Sequence, residues 1–336
     1  MTIHILGLEP IESRYTQQWA ELIPKMFSYS GADVIDYPGE TVQQTISNSK
    51  DFLAWVPSNI WKSSQLSKFS KSIFDGAVKS GDVVFVTDFW NPSVINIKYM
   101  ADLSGIDLTI VGFTHAGFYD PWDRLGIELK GTRWAKTSET AIIDCYDYLI
   151  FATEFHKSLF EKSYPDTKTE LKVLPFFGNY IKLNEFGDRD EQVVFCQRNA
   201  PEKQPHLFAE LEKLSNIGYD FVNTSSKPLP NNEMVDLLSK SKFTVSFALQ
   251  ETLGIIPFES LAVGCCPIVP DRLSYSEMYT DDIKYDGTVA DANRVLNRLS
   301  SLTQQELDDI IIENYSNASE FFDGVKTVEF IKGLDK

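Results

Sequence analysis

Basic residues are scarce in this sequence. Lys and Arg number 31 against 48 Asp and Glu, for a formal net charge of −17. A chain this acidic does not hold nucleic acid through its overall field, because affinity for a phosphate backbone comes from clustered cations. Two local basic groups, Lys62/Lys68/Lys71 and Lys130/Arg133/Lys136, read as solvated helix or loop surface. Cysteine is scarce as well. Cys145, Cys196, Cys265 and Cys266 form no C-x-x-C pair and no His/Cys cluster, which argues against a zinc site and for reduced, buried thiols. No apolar run approaches the roughly 18 residues that span a bilayer. The opening Met-Thr-Ile-His-Ile-Leu-Gly has neither a basic start nor a small-residue cleavage site; it reads as a first strand and places the protein in the cytoplasm. No G-x-G-x-x-G follows a strand, against a dinucleotide-dependent dehydrogenase, and no G-x-x-x-x-G-K-[ST] exists, against a P-loop enzyme. The one Asp-x-Asp, Asp188-Arg-Asp190, reads as a solvated acidic loop, so no catalytic metal is expected.

What is present is an α/β pattern. The 336 residues, 43% hydrophobic and 24% charged, suffice for two α/β domains of ordinary size. Short β-branched and aromatic runs alternate with amphipathic stretches, as in parallel βαβ units. Residues 3–6, 82–87, 108–113 and 148–152 read as strands of a first set, with a helix over 14–27. Residues 172–174, 192–196, 220–223, 243–247 and 266–269 read as strands of a second set, with helices over 204–214, 232–239 and 257–262. The polar, acidic stretch 179–190 fits an interdomain crossing, and 303–336 is helical in period. Two such layers facing each other make a cleft at the C-terminal ends of their strands, where open sheets of this kind bind ligands.

The chemistry concentrates in Glu251-Thr-Leu-Gly-Ile-Ile-Pro-Phe-Glu259 and the Ser-Leu-Ala-Val-Gly-Cys-Cys-Pro-Ile-Val behind it. Gly254 permits a tight strand-to-helix turn, and Pro257 is tolerated in a first helical turn, where its missing N–H has no partner to lose. The helix N-terminus near Gly254, Ile255 and Ile256 offers free N–H groups and a positive dipole end, a ready site for a diphosphate. Two carboxylates flanking an anion site repel phosphate, so Glu251 and Glu259 must aim at hydroxyls, which a sugar and a ribose supply.

Two glutamates separated by seven residues, with Gly between and Ala-x-Gly-x-x-Pro-Ile-Val behind, resemble the signature of the large family of retaining GT-B glycosyltransferases. The resemblance implies that Glu251 contacts donor-sugar hydroxyls and Glu259 the ribose. Val193-Val-Phe-Cys-Gln-Arg198-Asn-Ala-Pro-Glu-Lys203 resembles the family's strand followed by Gly-Arg and a Lys five residues on. It implies that Arg198 and Lys203 neutralise the departing diphosphate. Gln197 stands where the family usually has Gly. Ile110-Val-Gly-Phe-Thr-His115 ends a strand with the His that family members carry near the reacting centre. Residues 147–157 and 172–178 resemble the last strand and helix of the first domain and the entry into the second, so the likeness covers about 108–278.

The resemblance implies two Rossmann-like domains facing across a cleft: an acceptor domain over 1–170, a nucleotide-sugar domain over 171–315, and a C-terminal helix over 316–336 crossing back. It implies sugar transfer, as a hexosyl- or pentosyltransferase, from a nucleoside diphosphate to an acceptor hydroxyl. It further implies that anomeric configuration is retained, that the leaving phosphate serves as base, and that no cofactor or metal takes part. The opening Leu-Glu-Pro-Ile-Glu-Ser-Arg-Tyr-Thr-Gln-Gln-Trp19 is similar to the start of some phage-encoded glycosyltransferases, for which the location is the host cytoplasm. That similarity implies a hydroxymethylated pyrimidine in DNA as acceptor, with the aromatic and basic run 118–136 to stack an extruded base. A glycan, lipid-linked or small-molecule acceptor stands equally open. A sugar epimerase, a glycan phosphorylase and a non-catalytic nucleotide-sugar-binding subunit are the rival readings. The Arg198, Lys203, Glu251 and Glu259 set favours a transferase over all three.

Overall fold

The computed structural model describes residues 1–11, 14–42, 55–227 and 229–334. Its elements run β1 (Thr2–Leu6), α1 (Tyr15–Tyr29), β2 (Asp33–Asp36), α2 (Trp55–Phe74), β3 (Val83–Val86), α3 (Ser93–Ser104), β4 (Thr109–Phe113), α4 (Arg124–Glu128), α5 (Ala135–Ile143), β5 (Tyr148–Phe151), α6 (Glu154–Ser163) and β6 (Glu170–Val173). They continue as β7 (Asp190–Phe195), α7 (Pro205–Leu214), β8 (Asp220–Asn223), α8 (Asn231–Lys240), β9 (Ser241–Val245), α9 (Ile255–Ala262), β10 (Cys266–Pro270), α10 (Tyr275–Met278), β11 (Lys284–Tyr285), α11 (Val289–Ser300), α12 (Gln304–Ser319) and α13 (Val325–Lys332). The described residues fall into two compact units. The first comprises those within 1–177 and 323–334, the second those within 178–322.

The first unit is a six-stranded sheet in the order β2-β1-β3-β4-β5-β6, with every pairing parallel. Burial follows position in the sheet. The four residues of β3 are all buried, whereas the edge strands Asp33-Val-Ile-Asp36 and Glu170-Leu-Lys-Val173 are part-exposed and carry charge. That is the expected contrast between a strand covered on both faces and an edge strand. One core cluster gathers Leu6, Val84, Val86, Phe89, Ile97, Ile110, Leu149, Phe151 and Phe160. The last helix, α13, belongs here: Thr327 Oγ1 donates to the Pro175 carbonyl at 2.6 Å, and the Phe330 ring lies 5.5 Å from Tyr148.

The second unit is a five-stranded sheet, β11-β10-β9-β7-β8, again parallel throughout. Both sheets reverse their winding direction once, between β1 and β3 in the first and between β7 and β9 in the second. In doubly wound sheets that switch point, at the C-terminal ends of the strands, is where the diverging loops leave room for a ligand.

Most expected elements fall where the sequence pattern sets them, with three differences. Of residues 172–174, expected to open the second set, 172 and 173 belong to β6, which pairs with β5 in the first sheet. The hydrogen bond from Leu174 N to Phe151 O extends that pairing. Consequently the units meet at 177/178 and 322/323 rather than at 170/171 and 315/316. The helical period over 303–336 splits into α12 and α13. Between them the Phe322 ring stacks on Phe258 at 4.0 Å in the second unit, and Asp323 bridges Phe177 in the first. Residues 335 and 336, and Glu12 and Ser13 of the opening motif, lie outside the described residues. Finally, Asp188 is an exposed loop residue as expected, whereas Asp190, also exposed, opens β7, and Arg189 between them is buried, donating to the Gly264 carbonyl and pairing with Asp308.

Candidate active site

In the second unit the two candidate segments leave β7 and β9, the strands that flank the switch point. After β7 the chain runs through Cys196 and Gln197 to Arg198 and forms a single 3-10 turn, Pro201–Lys203. It then enters α7 through Gln204, whose φ of 50° is left-handed. Gln197 does not take the left-handed conformation that a Gly there would allow. Its side chain is buried and donates to Ser246 Oγ at 2.9 Å, tying the first turn to the second.

After β9, residues 246–254 lead to Gly254, whose φ of 85° opens α9. A Cβ at Gly254 would sit 2.5 Å from Tyr275 Cε1, so both backbone angle and space require Gly. Several side chains fix this segment. Arg272 donates to the carbonyls of Ala248 at 3.0 Å and Phe247 at 3.1 Å, and the Tyr285 hydroxyl donates to the Ser246 carbonyl at 2.8 Å. Tyr275 places its hydroxyl 3.1 Å from Ser246 Oγ.

Lys203 joins the two turns. Its ammonium lies 3.1 Å from Glu251 Oε2 and also donates to the Gln250 carbonyl. The Lys203 side chain is 8% exposed and that of Glu251 22%, which leaves the carboxylate open to a ligand from one side. Arg198 pairs through Nε at 2.9 Å with Glu202, which is buried. The Glu202 carbonyl in turn accepts from Leu249 N at 2.7 Å. Glu259 sits on α9 with no hydrogen bond or ion pair to its carboxylate among the described residues. Burial pushes that carboxyl up to about 7. Arg198, Lys203, Glu251, Gly254, Ile255, Ile256 and Glu259 thus belong to two adjoining strand-to-helix turns of one unit.

His115 belongs to the first unit, just past β4. Its Nε2 is 2.8 Å from the Thr87 carbonyl and its Nδ1 3.1 Å from the Tyr15 hydroxyl. A carbonyl can only accept, so Nε2 carries the proton. Burial lowers the pKa of His115 despite the raising influence of Asp88 and the Thr87 carbonyl, so the imidazole is neutral and Nδ1 accepts from Tyr15. The rings of Tyr15, Trp19, Phe113 and Phe176 surround it at 5.2–6.5 Å. Nearby, Lys62 is no solvated surface charge: it pairs with Asp88 at 2.9 Å and donates to the Trp90 carbonyl at 2.6 Å. Burial raises the Asp88 pKa, but the Lys62 charge, His115 and hydrogen bonds outweigh it and leave it below the usual value. Glu139, wholly buried, accepts from Trp90 Nε1, Phe118 N, Tyr119 N and Tyr164 Oη at 2.6–3.0 Å, which clamps the loop after His115. In the aromatic and basic run, Trp122 and Trp134 are exposed by about half, whereas Tyr119 is buried against His156 and Phe160.

Sequence reasoning missed Glu202, Arg272 and Tyr275 in the second unit and Tyr15, Asp88 and Glu139 in the first. Of these, only Glu202 carries a local signal, an Arg four residues before it and a Lys directly after.

No protein-family model and no curated protein matches the chain. Solved structures do. A sucrose-phosphate synthase from Thermosynechococcus elongatus is similar with a TM-score of 0.70 at 9% identity, over 99% of this chain and 98% of that one. A structure described as trehalose-6-phosphate from E. coli bound with UDP-2-fluoro glucose gives 0.66 at 9% identity, over 100% and 99%. An α,α-trehalose-phosphate synthase (UDP-forming) from Burkholderia vietnamiensis gives 0.65 at 10%, over 99% and 98%. The fold is GT-B. Its two Rossmann-like domains are the two α/β units described above. At such identities the likeness speaks for the fold, and the chemistry is argued from the site.

Proposed function

We propose that this GT-B protein is a nucleotide-sugar-dependent glycosyltransferase that moves a sugar from a nucleoside diphosphate to an acceptor hydroxyl. The observation that carries this reading is the Lys203–Glu251 contact of 3.1 Å, which joins a cation and a carboxylate from the two turns at the switch point. A diphosphate sugar asks for this pairing: positive charge where the leaving group gathers negative charge, and carboxylates beside it for sugar and ribose hydroxyls. The fold likeness to proteins named as sugar-phosphate synthases supports it, and the name of one as UDP-forming makes UDP the first nucleotide to test.

In this reading Arg198, Lys203 and the amides of Gly254, Ile255 and Ile256 take the diphosphate. Glu251 holds the sugar hydroxyls. Glu259, lacking a protein partner, takes the ribose hydroxyls. The positive charge that faces the leaving diphosphate comes from side chains and a helix terminus, so in this reading the reaction needs no metal and no cofactor. Retention follows if the leaving phosphate accepts the acceptor's proton on the face it departs from. His115 enters as a positioning group of the first unit; contact with sugar requires its bond to Tyr15 to open. We place the protein in the cytoplasm, that of the host if a phage encodes it.

The test is incubation with a panel of UDP-, GDP-, ADP- and dTDP-sugars and candidate acceptors, followed by mass spectrometry. Glycans, small sugars and sugar phosphates, and DNA containing hydroxymethylated pyrimidines are the acceptors to screen. A sugar-mass increment on one of them, with its anomeric configuration read by NMR, is the expected result. Nucleotide binding with neither transfer nor donor hydrolysis would assign a non-catalytic sugar-nucleotide-binding protein instead.

A further inference from the structure

The ties between the turns after β7 and β9 differ in what they are made of. Lys203 pairs with Glu251 at 3.1 Å, Leu249 N donates to the Glu202 carbonyl at 2.7 Å, and Gln197 Nε2 donates to Ser246 Oγ at 2.9 Å. The first uses two charged groups that a diphosphate sugar would itself claim. The last uses a neutral amide and a hydroxyl, both from buried residues just past the ends of paired parallel strands.

Ser246 is the hub of this last contact. Its hydroxyl also accepts from Ala248 N at 3.3 Å and lies 3.1 Å from the Tyr275 hydroxyl, while its carbonyl accepts from Tyr285 at 2.8 Å. The N–H groups of Gln197 and Ala248 occupy both lone pairs of Ser246 Oγ, so its single proton goes to Tyr275 Oη. The Tyr275 ring packs on Gly254, the N-cap of α9, where an added Cβ would lie 2.5 Å from Cε1. A continuous chain of contacts therefore runs from Gln197, the residue before Arg198, through Ser246 and Tyr275 to Gly254. The other end of the Gln197 amide, Oε1, is buried without a hydrogen bond. That unpaired carbonyl costs stability, and a methionine of similar length would avoid the cost.

We propose that Gln197 is a positioning residue of the donor site. Through Ser246 and Tyr275 it holds the Arg198–Lys203 turn and the Gly254 turn at the separation one diphosphate requires. When Lys203 exchanges Glu251 for phosphate, that tie opens. The buried relay gives up no bond to the ligand and keeps the turns aligned. The inference rests on the donor-site reading above.

The test is a double-mutant cycle in the full chain. Gln197→Met removes the donor to Ser246 at similar side-chain length, Tyr275→Phe removes the hydroxyl and keeps a ring on Gly254, and the two are then combined. Calorimetric titration with the diphosphate among UDP, GDP and ADP that the wild type binds best is read beside the unliganded melting temperature. Each single variant should bind about five- to tenfold more weakly, the scale of one buried hydrogen bond. The double variant should bind no more weakly than the weaker single one, because a relay opened at one link has nothing further to lose at the other. The melting temperature of Gln197→Met should be unchanged or raised. Unchanged affinity in the single variants overturns the proposal. So does a lower melting temperature with normal affinity per folded molecule, which assigns Gln197 to the scaffold. Losses that multiply in the double variant overturn it too, since the two side chains then act separately. Failure of the wild type to bind any of the three diphosphates is a separate outcome, read without the variants, and removes the donor-site reading and this inference with it.

Discussion

The surroundings of His115 and the turns after β7 and β9 are both polar and both part-buried, yet they handle hydrogen bonds differently. In the first unit both His115 nitrogens are bonded, Glu139 accepts from four donors, and Lys62 is paired with Asp88. In the second unit the Glu259 carboxyl has no described partner, the Tyr279 hydroxyl has none, and Lys203 is held by a carboxylate that is itself open to solvent. A closed network rigidifies and positions; a group with unmet capacity has a bond left to make. Among the described residues of the first unit His156 Nδ1 and Gln65 Oε1 are exceptions, buried and without a bond. At His156, burial followed by the nearby His115 takes the pKa down to about 3, so the ring stays neutral at working pH.

The sharpest way to break this contrast is Lys203→Ala. The variant removes the cation that joins the turns, and turnover should fall about 10²–10³-fold, the usual cost of one preorganised electrostatic group. Steady-state kinetics within a few-fold of wild type would contradict the assignment. Glu139→Gln probes the other side. The amide presents its N–H groups to donors that need an acceptor, so thermal unfolding should show a loss of about 1–3 kcal/mol. Affinity for UDP should hold, because the network lies in the unit that does not carry the diphosphate turns. A large loss of UDP affinity with normal stability would erase the distinction.

A smaller effect follows from Glu259. Its folded pKa of about 7 stands above the ordinary carboxylate value. Its contribution to stability is therefore fully present at pH below the unfolded value and is lost as pH rises through about 7. Glu259→Gln should flatten this dependence, raising the melting temperature relative to wild type at pH 8 and leaving it unchanged near pH 4. If the ionised form accepts ribose hydroxyls, affinity for UDP in the wild type should climb across the same interval. Calorimetry from pH 6 to 8 that finds no slope in wild type would remove Glu259 from the nucleotide site.

Particular residues explain what could be read without the fold. The central strands were legible because they are covered on both faces and read as unbroken apolar runs, Val83-Val-Phe-Val86 above all. Asp33–Asp36 was missed because an edge strand with acidic ends has no such run, and the two residues of β11 are too few for any pattern. The strand at Glu170–Val173 was visible, but its partner was not, since a strand's sequence does not name the sheet it joins. Gly254 announced itself, because only Gly combines its backbone angle with its closeness to Tyr275. Gln197 was misleading in the opposite sense. It replaces a family glycine, yet the left-handed residue of that turn is Gln204, seven positions on. The bonds between turns, Gln197 to Ser246 and Lys203 to Glu251, connect residues 49 and 48 apart. Only the parallel pairing of β7 with β9 brings such residues together.

The most direct measurement is titration of UDP, with GDP and ADP beside it, into wild type and into an Arg198→Ala/Lys203→Ala double variant, by calorimetry at low ionic strength. Saturable binding of at least one diphosphate by the wild type, lost in the double variant while its far-UV spectrum is retained, is the predicted result. Equal affinity in both proteins, or no binding to either, would contradict the claim that the turns after β7 and β9 form a nucleoside-diphosphate site.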